Sequence, residues 1–222
     1  MNVEDRLKSK IVEVSKRLYD RELVAGAGGN VSARAPMSEE IFITPSGLCK
    51  GYLKPSQIVK VDLNGNVLGG KLRPTSETPM HTQIYRIRKD VNAIVHAHAP
   101  VSTGFSCANI PLDYSFYPEV IVMLGEISSV EYVTPTTKDL GNIVARHAER
   151  HNALLLRSHG PVTMGSNLEQ AYQRMELLED FAKIFLVSKL LGGAQPLPPG
   201  EVQKLLGLET EKYRIELAKK RQ

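Results

Sequence analysis

Ile58-Val-Lys-Val-Asp-Leu-Asn-Gly-Asn-Val-Leu68 is the stretch that decides the fold class. Strand-forming runs flank Asn64-Gly65, and an Asn-Gly pair readily supplies the positive φ angles of a tight turn, so an antiparallel hairpin over 58–63 and 66–68 is predicted. A purely parallel sheet is thereby excluded. Upstream, Asn30-Val-Ser-Ala-Arg34 and Glu40-Ile-Phe-Ile-Thr44 read as short strands. Before them, Val3, Leu7, Ile11, Val14, Leu18 and Leu23 recur at helical spacing, which predicts an amphipathic helix over about 3–24. Gly26, Gly28 and Gly29 then follow a helix rather than a strand, and position 31 is Val, so they are not a dinucleotide-binding fingerprint.

Downstream of the hairpin, Thr75 or Ser76 caps a predicted helix running to about Lys89, and Asn92-Ala-Ile-Val-His-Ala-His98 reads as a strand. A helix over about 137–151 precedes the apolar strand Ala153-Leu-Leu-Leu-Arg157, which ends in Ser158-His159-Gly160 and gives way to a loop. Ser166-Asn-Leu-Glu169 has the pattern of a capping box opening a long helix to Leu190 and Leu191, stopped by Gly192-Gly193. Pro196, Pro198 and Pro199 break the chain, and Glu201 to Gln222 reads as a short helix and a charged tail. Interleaved helices and strands with a hairpin define an α/β fold with a mixed sheet. The chain is read as one domain over 1–222, with 196–222 as its C-terminal tail.

With 222 residues, 42% hydrophobic and 23% charged, the chain can bury a large core, which excludes a disordered or fibrous protein. The net charge of +4 comes from positive residues mixed with acidic ones nearly everywhere except Lys219, Lys220 and Arg221, so no nucleic-acid partner is expected. No apolar run approaches the roughly 20 residues of a membrane helix, and MNVEDRLKSK is charged where a signal peptide turns apolar. The expected location is cytoplasmic, with no membrane partner. Cys49 and Cys107 are too few for a disulfide framework and are expected as small buried or partly buried apolar residues.

The chemistry lies in the histidines. His96 and His98 are two apart on a predicted strand, so they share a face and can reach one cation at the roughly 2.0–2.1 Å of a zinc–nitrogen bond. His159, at the end of a second predicted strand, is the best third ligand. Three imidazoles with an open position describe a catalytic metal site, although the set alone also suits a zinc hydrolase. His147 and His151, late in a helix beside Arg146 and Arg150, are expected to be solvated, and His81 is explained equally by packing, capping or ligation.

Five segments in register, Gly28-Gly-Asn-Val-Ser32, Ile43-Thr-Pro-Ser-Gly47, Thr75-Ser-Glu-Thr-Pro-Met-His81, His96-Ala-His98 and Ser158-His-Gly160, resemble the class II aldolase/adducin family. The resemblance runs from about residue 5 to 195 and is most similar to the L-fuculose-1-phosphate aldolase branch. It implies a three-layer, largely antiparallel mixed sheet flanked by helices. It also implies Zn2+ on His96, His98 and His159, with Mn2+ or Co2+ as alternatives that imidazole accepts. Glu77 matches the family's acid/base carboxylate, with helix N-terminal charge compensation as its other reading.

The same resemblance places a substrate phosphate on Gly29, Asn30, Ser46, Gly47, Thr75 and Ser76. A tyrosine from a neighbouring subunit is implied as proton donor, Tyr117 in Asp113-Tyr-Ser-Phe-Tyr-Pro118 matching best, with Tyr114 and Tyr213 as rivals. Pro118 and Glu119 depart from the aldolase pattern. The implied activity is reversible cleavage of a ketose 1-phosphate to dihydroxyacetone phosphate and a small aldehyde such as lactaldehyde, in a homotetramer with active sites at subunit interfaces. Related activities with the same metal and phosphate sites are a ribulose-5-phosphate 4-epimerase and a methylthioribulose-1-phosphate dehydratase or aldolase. A non-enzymatic scaffold like the adducin head is disfavoured because all three histidines and Glu77 are present.

Overall fold

The computed structural model describes residues 2–208. In chain order its elements are α1 (Val3–Asp20), β1 (Asn30–Ala33), β2 (Ile41–Ile43), β3 (Val59–Val61), β4 (Val67–Gly69), α2 (Thr78–Ile87), β5 (Ala93–His96), α3 (Pro100–Ala108), α4 (Pro118–Met123), β6 (Ile127–Val130), α5 (Lys138–Ala148), β7 (Ala153–Leu156), β8 (Gly160–Gly165), α6 (Leu168–Leu190) and α7 (Glu201–Gly207). The strands form one eight-stranded sheet in the order β4-β3-β2-β1-β5-β8-β7-β6. Only the β6–β7 pair is parallel, and α5 makes its crossover. The sheet is mixed and largely antiparallel, with helices on both faces.

Alternation along the strands feeds the two faces. Val31, Ala33, Ala93 and Val95 pack with Ile11, Val14 and Leu18 of α1 and Tyr172 and Met175 of α6. Ile41, Ile43, Ile94 and Val162 pack with Met80 and Ile84 of α2 and Leu140 and Val144 of α5. Burying one such side chain completely contributes about 1.5–3 kcal/mol. A third cluster joins Phe105, Val120, Leu155, Phe181 and Phe185 beneath α3, α4 and α6. β5 is buried along its whole length, which fixes the strand that carries His96 between two neighbours and two helical layers.

Several details depart from the sequence reading. The hairpin is antiparallel, but the turn runs through Asp62, whose Oδ1 accepts from the N–H groups of Asn64 and Asn66. Gly65 is at φ 83 while Asn64 is not at positive φ, so the Asn-Gly pair does not form the two-residue turn expected of it. The stretch read as a loop after His159 is β8, whose Gly160-Pro161 start disguised a strand buried at every residue. α3, α4 and β6 were not anticipated, because two begin at Pro100 and Pro118 and the third is short. The N-cap of α6 is Asn167, one residue after Ser166, with its side chain accepting from Gln170 N–H. Cys107 is exposed rather than buried. Of the expected tail, α7 is described, and the stretch 209–222, with Tyr213, lies outside the described residues. No helix among the described residues is long and apolar enough to cross a membrane.

Candidate metal centre and anion cavity

β5 ends at His96, and His98 lies two residues beyond it, so the strand sets the direction of the pair although only His96 belongs to it. His159 sits in the β7–β8 connection, after Ser158 at φ 55. β5 and β8 are paired, which brings the two segments together. The Nε2 atom of His96 is 3.1 Å from that of His98 and 3.3 Å from that of His159. Among the described residues these three form a group whose ligand atoms lie within 4.8 Å of one another.

Glu77 completes the arrangement from the N-cap of α2, where its side chain caps nothing. Its Oε1 lies 2.9 Å from His159 Nε2 and its Oε2 lies 3.2 Å from His96 Nε2. The helix starts at Thr78, so neither Thr75 nor Ser76 is its N-cap, and Glu77 does not serve the helix terminus. Burial pushes the Glu77 carboxyl up, but the charge of His96, the hydrogen bond and charge of His159 and the amide of Asn30 override it, holding it well below the usual carboxylate range. Burial lowers His96 to about 3 and also lowers His98.

The tautomer of His96 follows from its hydrogen bond. His96 Nδ1–H donates to Pro161 O at 2.9 Å, so the neutral ring presents an unprotonated Nε2 to the carboxylate and to the other rings. Ring nitrogens gathered within 4.8 Å of one another beside a carboxylate could hold a cation. Three imidazole nitrogens and one carboxylate oxygen are the donor set of a divalent transition metal, zinc among them, and the residues fit that group.

A buried chain of hydrogen bonds ends on Glu77. Asn30 Nδ2 donates to Glu77 Oε2 at 3.2 Å, which leaves Asn30 Oδ1 to accept from His81 Nε2–H. His81 Nδ1 must then accept from the Ser32 hydroxyl at 2.7 Å, and Ser32 Oγ accepts from the Tyr85 hydroxyl at 2.8 Å. Burial lowers His81 to about 4 and raises Tyr85, so both are neutral and every donor is used. His81 is thus neither ligand nor cap. No periodicity marks Ser32 or Tyr85 as part of the site; both read as core positions.

Glycine makes the close packing around His96-Ala97-His98 feasible. A Cβ on Gly29, at φ 67, would stand 2.6 Å from His96 O, and one on Gly160 would stand 2.4 Å from Ala97 O. Next to the histidines is a cavity of about 140 Å³ lined by Gly29, Asn30, Ser46, Gly47, Thr75 and Ser76, with Glu77 and His98 at the metal side. All six residues anticipated for phosphate are therefore in one place. Ser46 N–H donates to Arg73 O and Thr75 N–H to Thr44 O, which ties the two loops together. Lys50 lines the same cavity and was missed, because nothing in Leu48-Cys49-Lys50 signals a buried lysine.

Tyr117 is not among the residues around this cavity. It is the N-cap of α4, and its ring stacks on Phe181 at 6.0 Å. Tyr114 and Tyr117 both pack against the third cluster. His147 and His151 are half-buried rather than freely solvated: His147 Nδ1 meets Ser128 Oγ at 2.8 Å, and His151 Nδ1–H donates to His147 O at 2.8 Å.

Helices on both faces of a mixed sheet, with three imidazoles and a carboxylate gathered beside a small polar cavity, define an α/β domain with a candidate metal centre. The model of one family, the Class II Aldolase and Adducin N-terminal domain, matches residues 9–186. The chain belongs to the class II aldolase and adducin family. It is 38% identical over 184 residues to an L-fuculose phosphate aldolase of Methanocaldococcus jannaschii, covering 83% of this chain and 98% of that protein. A 3-oxo-tetronate 4-phosphate decarboxylase of Escherichia coli is 33% identical over 211 residues, covering 91% and 96%. A solved structure of an L-fuculose 1-phosphate aldolase superposes with a TM-score of 0.85 at 35% identity, covering 94% of this chain and 96% of that one.

Proposed function

We propose that this chain is a metal-dependent aldehyde-lyase that reversibly cleaves a ketose 1-phosphate, of the L-fuculose 1-phosphate kind, to dihydroxyacetone phosphate and a small aldehyde such as lactaldehyde. The observation that carries this reading is the convergence of His96, His98 and His159 with Glu77 at the edge of the polar cavity. The name and coverage of the aldolase relatives support it.

Cleavage breaks the bond between C3 and C4. The C4 hydroxyl gives up its proton and becomes the aldehyde carbonyl, while the bonding pair passes to C3 and the carbonyl oxygen as an enediolate. A divalent cation, zinc as the first choice, supplies Lewis-acid stabilisation of that negative charge when held by the three imidazoles. Glu77, within reach of the site and fixed by Asn30, is the group placed to deliver a proton to C3 and so release dihydroxyacetone phosphate. Gly29, Asn30, Ser46, Gly47, Thr75 and Ser76 bind the phosphate and so place C3 near Glu77. Tyr117 handles the proton on the C4 oxygen from a neighbouring copy in a homotetramer, since within its own protomer it does not line the cavity.

A second reading is favoured by the decarboxylase relative, whose alignment spans more of the chain. Loss of carbon dioxide from a 3-oxo-tetronate 4-phosphate leaves its bonding pair on C2, beside the C3 carbonyl. That is the same enediolate of dihydroxyacetone phosphate, so one site suits both reactions. A screen of phosphorylated ketoses and 3-oxo acid phosphates, with product identification, decides. Release of an aldehyde with dihydroxyacetone phosphate supports the aldolase, and carbon dioxide supports the decarboxylase. An epimer or a dehydrated product moves the assignment to the other branches. No turnover of any of these by metal-loaded protein rejects the lyase.

A further inference from the structure

Of the residues lining the cavity, Lys50 alone carries a positive charge at neutral pH. It is only 2% exposed. Its Nζ donates to Ala27 O at 2.9 Å and to Leu48 O at 3.0 Å, one carbonyl from each of the loops that carry Gly29 and Gly47. An ammonium has three N–H groups, and the third has no protein acceptor among the described residues. No carboxylate pairs with it there either: the ion pairs of the described residues do not include Lys50. Burial pushes its pKa down to about 8, which still leaves the ammonium the main form at pH 7.

A buried cation without a counter-charge is unfavourable, and a fold retains one most simply where the counter-charge arrives with a ligand. The surroundings agree. Among the described residues the backbone N–H groups of Gly47 and Ser76, on the same cavity, donate to no acceptor. The geometry points to Lys50 as the residue that supplies the counter-charge to the substrate's phosphate monoester, and so selects phosphorylated over unphosphorylated ketoses. This rests on the proposed reading that a sugar phosphate occupies the cavity. The competing role is structural: Lys50 straps two loops together through their carbonyls, and the ligand never meets it.

Inorganic phosphate is the probe that separates the two roles. Titrate it by calorimetry into the full-length protein carrying its divalent ion, and again after chelation, for wild type, Lys50→Met and Lys50→Gln. Methionine keeps the apolar stem without the ammonium; glutamine, one atom shorter than lysine, keeps an N–H donor for the strap without the charge. The expected result is phosphate binding to wild type under both conditions, weakened at least tenfold in both variants, as the loss of a charge-assisted hydrogen bond implies. With substrate, KM rises at least tenfold in Lys50→Gln while kcat stays within about threefold. Phosphate affinity within twofold of wild type in a variant whose melting profile is cooperative overturns the inference, as does wild type that binds no phosphate. If Lys50→Gln loses phosphate affinity but no sugar phosphate is cleaved by wild type, the lyase reading falls and this inference stands. If wild type cleaves and KM does not move in Lys50→Gln, the reverse holds.

Discussion

Glu77 Oε2 accepts a hydrogen bond of 3.2 Å from Asn30 Nδ2, and the other end of that amide is held by His81, which has no access to solvent. Asn30 opens β1 opposite His96 in the sheet register, while Glu77 immediately precedes α2, so one amide joins the sheet to the start of the helix at the candidate centre. If His81 is removed, the amide is free to rotate and present its oxygen to the carboxylate. His81→Leu is expected to lower kcat about ten- to a hundredfold, and to raise KM as well, because Asn30 also lines the cavity. Steady-state kinetics check this, and an unchanged kcat in a folded variant removes the relay from the account.

His81 also sets an acid limit on stability. In the unfolded chain it takes up a proton below its ordinary value near 6.5, whereas burial keeps it neutral in the fold down to about 4. Between these values the unfolded state binds more protons, so stability falls as pH falls, by about 1.4 kcal/mol per pH unit from this group and about 3 kcal/mol in all. Urea denaturation at pH 7, 5.5 and 4.5 should show at least that slope in wild type, where His96 adds to it, and a flatter one in His81→Gln.

Removing one imidazole tests the metal centre without a substrate. Wild type is expected to hold about one divalent ion per chain, and His159→Ala to bind it at least a hundredfold more weakly, measured by elemental analysis after dialysis against a competing chelator. His151→Ala, which removes a half-buried ring bonded to His147 O outside the candidate centre, should match wild type in metal content.

Gly160→Ala would drive a methyl group to 2.4 Å from Ala97 O, between the two histidine-bearing segments. A loss of about 2 kcal/mol in stability together with weakened metal binding is expected, read from thermal melts with and without chelator. Stability like that of wild type would mean the β7–β8 connection is slack rather than clamped.

The segments of the candidate site were legible because they are local and chemically rare: His96-Ala-His98 before a helix, Ser158-His-Gly160 after an apolar run, and three loops rich in glycine and hydroxyl groups. What escaped is set by tertiary context. Gly160-Pro161 looks like punctuation, yet it opens β8, because Gly160 packs against Ala97 and Pro161 offers its carbonyl to His96. Glu77 looks like a residue of a first helical turn and instead turns its carboxylate away from the helix, toward the histidines. Lys50 looks like one more solvated charge, since no pattern in a chain with 28 lysines and arginines reveals which one is enclosed.

The most direct measurement follows the hydrogens of dihydroxyacetone phosphate alone, in deuterated water, with metal-loaded protein and no aldehyde present. Both the aldolase and the decarboxylase readings pass through the same enediolate, so exchange at its hydroxymethyl carbon reports Glu77 and the metal centre without knowledge of the aldehyde. Proton NMR should show one of the two hydrogens replaced stereospecifically by wild type. Exchange should be at least a hundredfold slower in Glu77→Gln and abolished by chelation. Full retention of both hydrogens with protein shown to carry its divalent ion would contradict the account.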